Sequence, residues 1–134
     1  MFQKCLALLF MAWLSACANQ PDIAALPAEV EQQQLLSMQQ TNEQWLLLDV
    51  RSDEEYQAGY IEGAVNISHL QLGDKMSSIA QYKDKNIIVY CRSGRRAGIA
   101  IKLLQDSGFH KVSHLSGDMN GWQAANLPTV SNKQ

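Results

Sequence analysis

NIIVYCRSGRRAGIAIKLLQ, residues 86–105, holds the clearest pattern in this 134-residue chain, because a strand, a short polar loop and a helix follow one another directly. Residues 87–90 are β-branched or aromatic without polar alternation, which is typical of a strand covered on both faces in a parallel sheet. From Ala97 onward the apolar residues recur at helical spacing. We therefore predict that Cys91 lies at the carboxyl end of a buried strand, facing the amino end of a helix.

The loop after Cys91 is suited to an anion. In open α/β sheets, ligands bind in the crevice beyond the carboxyl ends of the strands, where loop N–H groups and the helix dipole favour negative charge. Three arginines follow within five residues, and Gly94 permits a positive φ. A thiol in such surroundings is stabilised as a thiolate. An isolated cysteine is more often a small buried hydrophobe, but that role gives no reason for three neighbouring arginines, so Cys91 is a candidate nucleophile.

Three motifs recur in order along the chain: LLDVRSDEEYQAGYIEGAVNI at 47–67, CRSGRR at 91–96 and LSGDMNGW at 115–122. Together they resemble the rhodanese, or sulfurtransferase, family. The first is similar to a strand ending in Asp-Val-Arg that precedes a short helix and glycine-rich turns, the second resembles the six-residue active-site loop, and the third resembles a closing Leu-x-Gly-Gly and Trp pattern. The resemblance covers about residues 29–128.

The resemblance implies a rhodanese-like three-layer α/β domain, with a mainly parallel central sheet and helices on both faces. The alternation of predicted strands and helices leads to the same fold class. The sequence departs from the family pattern at Tyr60, where His is usual, at Ser68, where Pro is frequent, and at Asp118, where a second Gly is usual. We expect these departures to affect local packing and not the loop.

The implied activity is sulfur transfer, in which the Cys91 thiolate attacks the outer sulfur of an anionic donor such as thiosulfate and becomes a persulfide. Cyanide or a thiol then accepts that sulfur, and neither a cofactor nor a metal is expected. The residues expected to bind the donor are Arg92, Ser93, Gly94, Arg95 and Arg96. Arg96, nearest the helix, either contacts the donor or holds the loop.

Two other functions remain open. A phosphatase or arsenate reductase on the same scaffold also uses a thiolate, but phosphatases of related fold have one residue more between cysteine and arginine than the four that separate Cys91 from Arg96. The smaller ring suits one sulfur atom better than a phosphoryl group. A non-catalytic sulfur-binding or interaction module is the second alternative, and loss of the cysteine is its usual sign.

Composition and net charge limit the kinds of partner that the protein can bind. The net charge is −2 and 46% of the residues are hydrophobic, which argues for one compact domain and against a nucleic-acid partner. Cys5 and Cys17 precede the predicted domain, so Cys91 has no partner within it for a disulfide. The histidines show no metal-ligand spacing, and none lies near the loop in sequence to form a Cys–His pair; they are His69, His110 and His114.

The N-terminal residues predict export. Residues 1–16 have a short charged start and an apolar core too short to span a bilayer, as in a signal peptide. Residues 14–17, Leu-Ser-Ala-Cys, resemble a bacterial lipobox, which implies lipidation of Cys17. Ordinary cleavage after Ala18 is the competing reading. We expect 17–28 to tether the domain to the periplasmic face of a membrane, the outer one if two are present, and 129–134 to be a polar tail.

The other elements follow from periodicity and turn residues. Ser52 and Glu55 form a capping-box pattern, and Arg51 is expected to pair with Asp49 or with Glu55 as a structural ion pair. Trp45, Tyr90 and Trp122 are expected in the core. The predicted helices cover 30–40, a short segment after Ser52, 74–82 and 118–125, and the further strands cover 45–50, 64–67 and 112–115.

Overall fold

The computed structural model describes residues 24–132. In this range the strands are β1 Glu29–Val30, β2 Leu46–Asp49, β3 Val65–Asn66, β4 Ile87–Tyr90 and β5 Val112–Leu115. The α-helices are α1 Gln32–Met38, α2 Asp53–Ala58, α3 Arg95–Asp106 and α4 Asp118–Ala124, and a 3₁₀ helix covers Leu72–Tyr82. Strands and helices alternate along the chain, as predicted for an α/β domain.

The strands form one sheet in the order β1-β5-β4-β2-β3, and each neighbouring pair is parallel. β4 is central, between β2 and β5, which explains why its sequence is apolar without alternation. The predicted parallel sheet is confirmed. Because all strands point the same way, their carboxyl ends meet at one edge, and the loop that begins at Cys91 lies there.

Both faces of the sheet are covered. Ile87 and Val89 of β4 belong to a core cluster that includes residues of α3 and the 3₁₀ helix. Ile88 and Tyr90 point to the opposite face, where Trp122 of α4 is fully buried in a second cluster with residues of α1. This arrangement confirms the predicted three-layer domain and the core positions of Tyr90 and Trp122, whereas Trp45 is only partly buried.

Residues 24–28 lie along the domain and are hydrogen-bonded to it. The Leu26 N–H donates to Asn86 Oδ1 at 3.1 Å, and Ser113 Oγ donates to the carbonyl of Pro27 at 2.7 Å. The predicted tether of 17–28 therefore ends earlier than expected, since its last five residues are part of the folded body. The predicted signal peptide 1–16 and the lipidation site Cys17 lie outside the described residues. Between residues 24 and 132, no helix is long and apolar enough to cross a membrane.

Two predicted helices differ from the structure. The helix predicted for 30–40 begins at Gln32, because the β-branched and fully buried Val30 pairs with Leu115 as part of β1. The α-helix predicted for 74–82 is a 3₁₀ helix that already begins at Leu72. Glycine and serine favour the α-helix weakly, and Ser78 Oγ donates to the backbone carbonyl of Lys75, three residues back, at 2.6 Å.

Candidate active site

Cys91 follows the last residue of β4 and is buried, with 1% of its surface exposed. The chain then turns through Gly94, whose φ is 113°, and α3 begins at Arg95. The Gly94 N–H donates to Cys91 Sγ at 3.0 Å. A Cβ on Gly94 would lie 3.2 Å from Asp118 Oδ2, so both the positive φ and the close approach require glycine here. The sulfur thus lies where sequence predicted it, at the end of β4 and against the backbone N–H of Gly94.

Two of the loop arginines are exposed at the mouth of the site. Arg92 and Arg95 are exposed, and among residues 24–132 neither has a carboxylate partner. They line a shallow cavity of about 380 Å³. The other residues of this cavity are Glu55, Ser93 and Arg96. Two cations without a counter-ion at the opening favour a small anion there.

Arg96 is held differently from the other two arginines. Its Nη1 and Nη2 donate to Glu55 Oε1 at 2.6 Å and Oε2 at 2.9 Å. These bonds lower the pKa of Glu55 to about 2, against a smaller opposing effect of burial. Glu55 is fixed in turn by the predicted capping box with Ser52. Of the two expectations for Arg96, the structure therefore favours the one in which it holds the loop, by joining α3 to α2.

Arg51 pairs with Asp49 and not with Glu55. The side chains of both partners are almost fully buried, and Arg51 Nη2 donates to Asp49 Oδ2 at 2.6 Å and to the carbonyl of Gly59 at 2.8 Å. Burial alone lowers the pKa of Arg51, but hydrogen bonding to Asp49 and the negative charge of Asp49 and nearby groups together raise the pKa overall. This pair joins the end of β2 to the turn after α2, and its two charges neutralise each other inside the protein.

Asp118 overturns an expectation, because this departure from the family pattern does contact the loop. Its side chain is buried, and Oδ1 accepts the Cys91 N–H at 3.0 Å and lies 3.6 Å from Cys91 Sγ. Asp118 has a φ of 53° at the first position of α4. Among residues with a side chain, Asp and Asn adopt this left-handed conformation most readily. The other two departures lie elsewhere: Tyr60 stacks on Tyr56, and Ser68 begins a turn.

A histidine is also present near the sulfur, contrary to the expectation from sequence distance. His114 Nε2 lies 2.9 Å from Asp118 Oδ1, and Nδ1 lies 3.0 Å from both oxygens of Glu29. Glu29, His114, Asp118 and Cys91 therefore form a continuous chain of contacts. The sequence signal for this chain of contacts was Asp118, a charged residue where the family pattern has glycine, which sequence analysis noted but did not connect with the loop. The neighbourhood of Glu29 and His114 comes from the register of β1 on β5.

The described residues do not assemble a metal centre. Between residues 24 and 132 there is no group of three or more His, Cys, Asp or Glu side chains that is arranged to hold a metal ion. The chemistry that the arrangement offers is that of one thiol that accepts the Gly94 N–H, a shallow cavity lined by three arginines, and a carboxylate beside the sulfur.

A parallel α/β domain in which a loop begins with a cysteine at the carboxyl edge of the sheet is typical of proteins that use a thiol in their active site. Within that class, residues 31–125 match the Rhodanese-like domain model. The chain therefore belongs to the rhodanese-like family.

Three similar proteins illustrate the family. The chain is 31% identical over 103 residues to a sulfurtransferase of Allochromatium vinosum, which covers 77% of this chain and 94% of that protein. It is 32% identical to the thiosulfate sulfurtransferase PspE of Escherichia coli, over 56% of this chain and 70% of that protein. The crystal structure of the Alr3790 protein from Anabaena sp. is 31% identical, with a TM-score of 0.68 over 76% of this chain and 82% of that one.

Other relatives are larger. The chain spans 36% and 48% of two longer proteins at 39% and 33% identity, one of which is a transcriptional regulator. The same domain therefore occurs in proteins of different length. The family of this chain and its sulfurtransferase relatives support a role in sulfur transfer in general terms.

Proposed function

We propose that this protein is a sulfurtransferase of the thiosulfate type, with Cys91 as the nucleophile. The observation that carries the proposal is the position of the sulfur: Cys91 Sγ lies at the end of the central strand and accepts the Gly94 N–H at 3.0 Å. An N–H that already points at the sulfur stabilises negative charge on it in the thiolate form. The name of the PspE relative supports thiosulfate as the donor.

The reaction has two half-reactions. In the first, the Cys91 thiolate attacks the outer sulfur of thiosulfate, a sulfur–sulfur bond forms, and the bond to the inner sulfur breaks as sulfite leaves with the electron pair. In the second, cyanide or an acceptor thiolate attacks the outer sulfur of the persulfide, and the electron pair of the broken bond returns to Cys91. Thiocyanate or a new persulfide leaves. Nothing outside donor and acceptor is oxidised or reduced.

Arg92 and Arg95 are the cations that attract the donor. Both are exposed beside the cavity in front of the loop. Their guanidinium groups carry the charge and the hydrogen-bond donors that a sulfonate-like group needs, in the donor and in the leaving sulfite. Ser93 and Gly94 contribute backbone N–H groups, whereas Arg96 acts on the loop through its ion pair with Glu55.

A phosphatase or arsenate reductase is the second candidate, and loop length disfavours it. Four residues separate Cys91 from Arg96, and the Arg96 guanidinium is already bound on both sides to Glu55. It is therefore not available to clamp a phosphoryl transition state. We expect negligible hydrolysis of aryl phosphates. Hydrolysis as fast as sulfur transfer would contradict this argument.

The test of the main proposal is the covalent intermediate. After treatment with thiosulfate and removal of excess reagent, mass spectrometry should show one added sulfur, ~32 Da, on a peptide that contains Cys91, because nucleophilic catalysis requires a covalent adduct. Cys91→Ser should take up no sulfur and release no thiocyanate from cyanide. An equally active Cys91→Ser protein would remove Cys91 from the mechanism.

We further infer that the domain works outside the cytoplasm on a lipid anchor at Cys17. The support is the sequence of residues 1–17. Each buried CH₂ of an acyl chain contributes about 0.8 kcal/mol, so two or three chains bind a membrane firmly. Cys17→Ser should release the protein from the membrane fraction or leave an uncleaved precursor. Recovery of soluble wild-type protein that begins at Asn19 would show ordinary cleavage instead.

A further inference from the structure

The acceptor closest to the reacting sulfur is a carboxylate. Asp118 Oδ1 lies 3.6 Å from Cys91 Sγ, within reach of an S–H hydrogen bond, and it also accepts the Cys91 N–H at 3.0 Å. Within residues 24–132 it is the one acceptor placed for the Cys91 S–H, since the other contact of the sulfur is with the N–H of Gly94. Asp118 is 2% exposed, so water does not compete freely for this contact.

The backbone at this position does not require a carboxylate. Asp118 follows Gly117, and both have positive φ values, 53° and 82°. A glycine, which the family pattern has here, would adopt this conformation without strain. The side chain therefore needs another explanation than the turn, and its contacts with Cys91 and His114 provide one.

His114 holds this carboxylate in place. Its two ring nitrogens each face a carboxylate, Asp118 at 2.9 Å and Glu29 at 3.0 Å, and a ring that donates to both is an imidazolium. Burial lowers the pKa of His114, but the hydrogen bonds to Asp118 and Glu29 outweigh it and raise the pKa overall. The other charged or titratable groups nearby include Glu31, which like Glu29 accepts a bond from Ser116 Oγ, and Arg96, whose charge interacts with Cys91.

We propose that Asp118 is a second catalytic residue, which accepts the proton of the Cys91 thiol and later returns it. This inference rests on the proposed sulfur transfer. In the first half-reaction the proton moves from Sγ to Oδ1 while Sγ bonds to the sulfane sulfur and sulfite leaves with the electron pair. In the second, the acceptor thiolate takes the outer sulfur, the electron pair returns to Cys91 Sγ, and Oδ1 gives the proton back.

His114 is a positioning residue in this scheme. It does not contact the sulfur, but it directs Asp118 Oδ1 and offsets the carboxylate charge, which would otherwise stand buried and unpaired beside the thiol before the proton moves. The proton is thus exchanged within a buried pair, and a positioned general base contributes typically about 10²- to 10⁴-fold to a rate.

The test uses Asp118→Asn, which keeps an oxygen for the Cys91 N–H and tolerates a positive φ, but accepts no proton. The first readout is the rate at which iodoacetamide alkylates Cys91, measured from mildly acidic to alkaline pH. We expect this variant to react about tenfold more slowly near neutral pH, and its rate to rise further at alkaline pH where the wild-type rate has levelled off. His110→Asn, an exposed histidine replaced in the same way, is the matched control and should follow the wild type.

The competing roles of Asp118 predict other profiles. A carboxylate that only repels the thiolate would make Asp118→Asn react faster than the wild type at neutral pH. A purely structural carboxylate would lower the rate by the same factor at every pH. Either result would overturn the proposal. Asp118→Gly, which suits the backbone best, repeats the test in case the Asn variant is poorly folded, and His114→Gln should show a smaller displacement of the profile in the same direction.

A second readout separates this proposal from the proposed function. Single-turnover persulfide formation from thiosulfate should slow about 10²-fold in Asp118→Asn. If the wild type takes no sulfur from thiosulfate, the proposed donor is wrong, but the alkylation profile still decides the role of Asp118. If the wild type forms the persulfide and Asp118→Asn forms it equally fast at every pH, sulfur transfer stands and Asp118 is not its base.

Discussion

β2 and β4 lie side by side in the sheet, and an arginine follows each of them at the same edge, but the two arginines have opposite surroundings. After β2, Arg51 is buried and bound to Asp49 and to the Gly59 carbonyl. After β4, Arg92 is exposed and, within the described residues, has no carboxylate partner. The same residue type therefore closes the fold in one loop and remains available to a ligand in the next.

The difference shows that the hydrogen-bond partners of an arginine, and not the residue type, decide whether it stabilises the fold or is available to bind a ligand at this edge of the sheet. After β2, the charge of Arg51 is neutralised by Asp49, so this arginine is not available to bind an anion. The loop after β4 leaves two arginines without a carboxylate partner among the described residues, and the thiol at its start lies beside the carboxylate of Asp118. The following predictions test this division, first on the structural side and then on the chemical one.

The largest effect is expected from breaking the buried pair. Arg51→Ala leaves Asp49 buried without its partner and should lower the free energy of unfolding by about 3–5 kcal/mol. The double variant Asp49→Ala with Arg51→Ala should recover part of that loss, because no lone charge remains. Urea unfolding measures both. Arg92→Ala serves as the control and should change stability by less than about 0.5 kcal/mol, as surface substitutions do. An equal loss in both arginine variants would erase the distinction between the two loops.

The second effect concerns the exposed arginines. Replacing Arg92 and Arg95 together by Ala should raise the KM for thiosulfate about 10- to 150-fold, since a hydrogen bond to a charged group is worth about 1.5–3 kcal/mol. The wild-type KM should rise with ionic strength and that of the variant should not. Lys102→Ala removes an exposed cation of the same helix that is paired with Asp106, and its KM should be unchanged. A similar increase in Lys102→Ala would mean that only the overall charge matters.

The third effect separates the two bonds of Glu55. Glu55→Gln retains the capping box but loses the ion pair with Arg96, whereas Glu55→Ala loses both. We expect losses of about 1 kcal/mol and about 2 kcal/mol in unfolding free energy. The pKa of Glu55 is lowered to about 2, so its contribution is present above its ordinary value near 4.5 and disappears as the pH falls towards 2. The stability of Glu55→Gln should therefore fall less between pH 4.5 and pH 2 than that of the wild type. An unchanged acid transition would mean that other groups cause this loss of stability.

The smallest effect belongs to His114. Because its pKa is raised in the folded protein, its ion pairs stabilise the protein fully below the ordinary histidine pKa near 6.5, and this contribution is lost as the pH rises through the folded value. The expected size is about 0.5 kcal/mol, since Glu29 is largely exposed. His114→Gln should flatten this part of the pH dependence in chemical unfolding. If the wild type became more stable than His114→Gln as the pH rises, the pKa of His114 would be lowered and not raised in the folded protein.

Local signals in the sequence were sufficient for one part of this structure. The apolar run 87–90, the cysteine and the glycine-containing loop predicted the end of β4 and the start of α3, because strand burial, a positive φ and helix periodicity are all properties of neighbouring residues. The capping box of Ser52 and Glu55 was predictable for the same reason.

Contacts between distant residues were not predictable in this way. Arg96 and Glu55 are 41 positions apart, and His114 meets Glu29 across 85 positions. Only the strand order and the register of β1 on β5 bring the latter together. The position of Asp118 was noted as unusual, but its consequence for the sulfur depends on how α4 is placed against the loop, which no local pattern encodes.

The bonds of residues 24–28 give the site a mechanical connection to the rest of the chain. A pull on the polypeptide from its N-terminal side is borne first by the Leu26 and Pro27 bonds and then by β1, whose Glu29 contacts His114. The Leu26 bond ends on Asn86, directly before the central strand β4, and β1 leads through Glu29 to the histidine that contacts the carboxylate beside the sulfur. A chain shortened to residue 29 would lack the bonds of Leu26 and Pro27 and would keep β1 and the contact of Glu29 with His114.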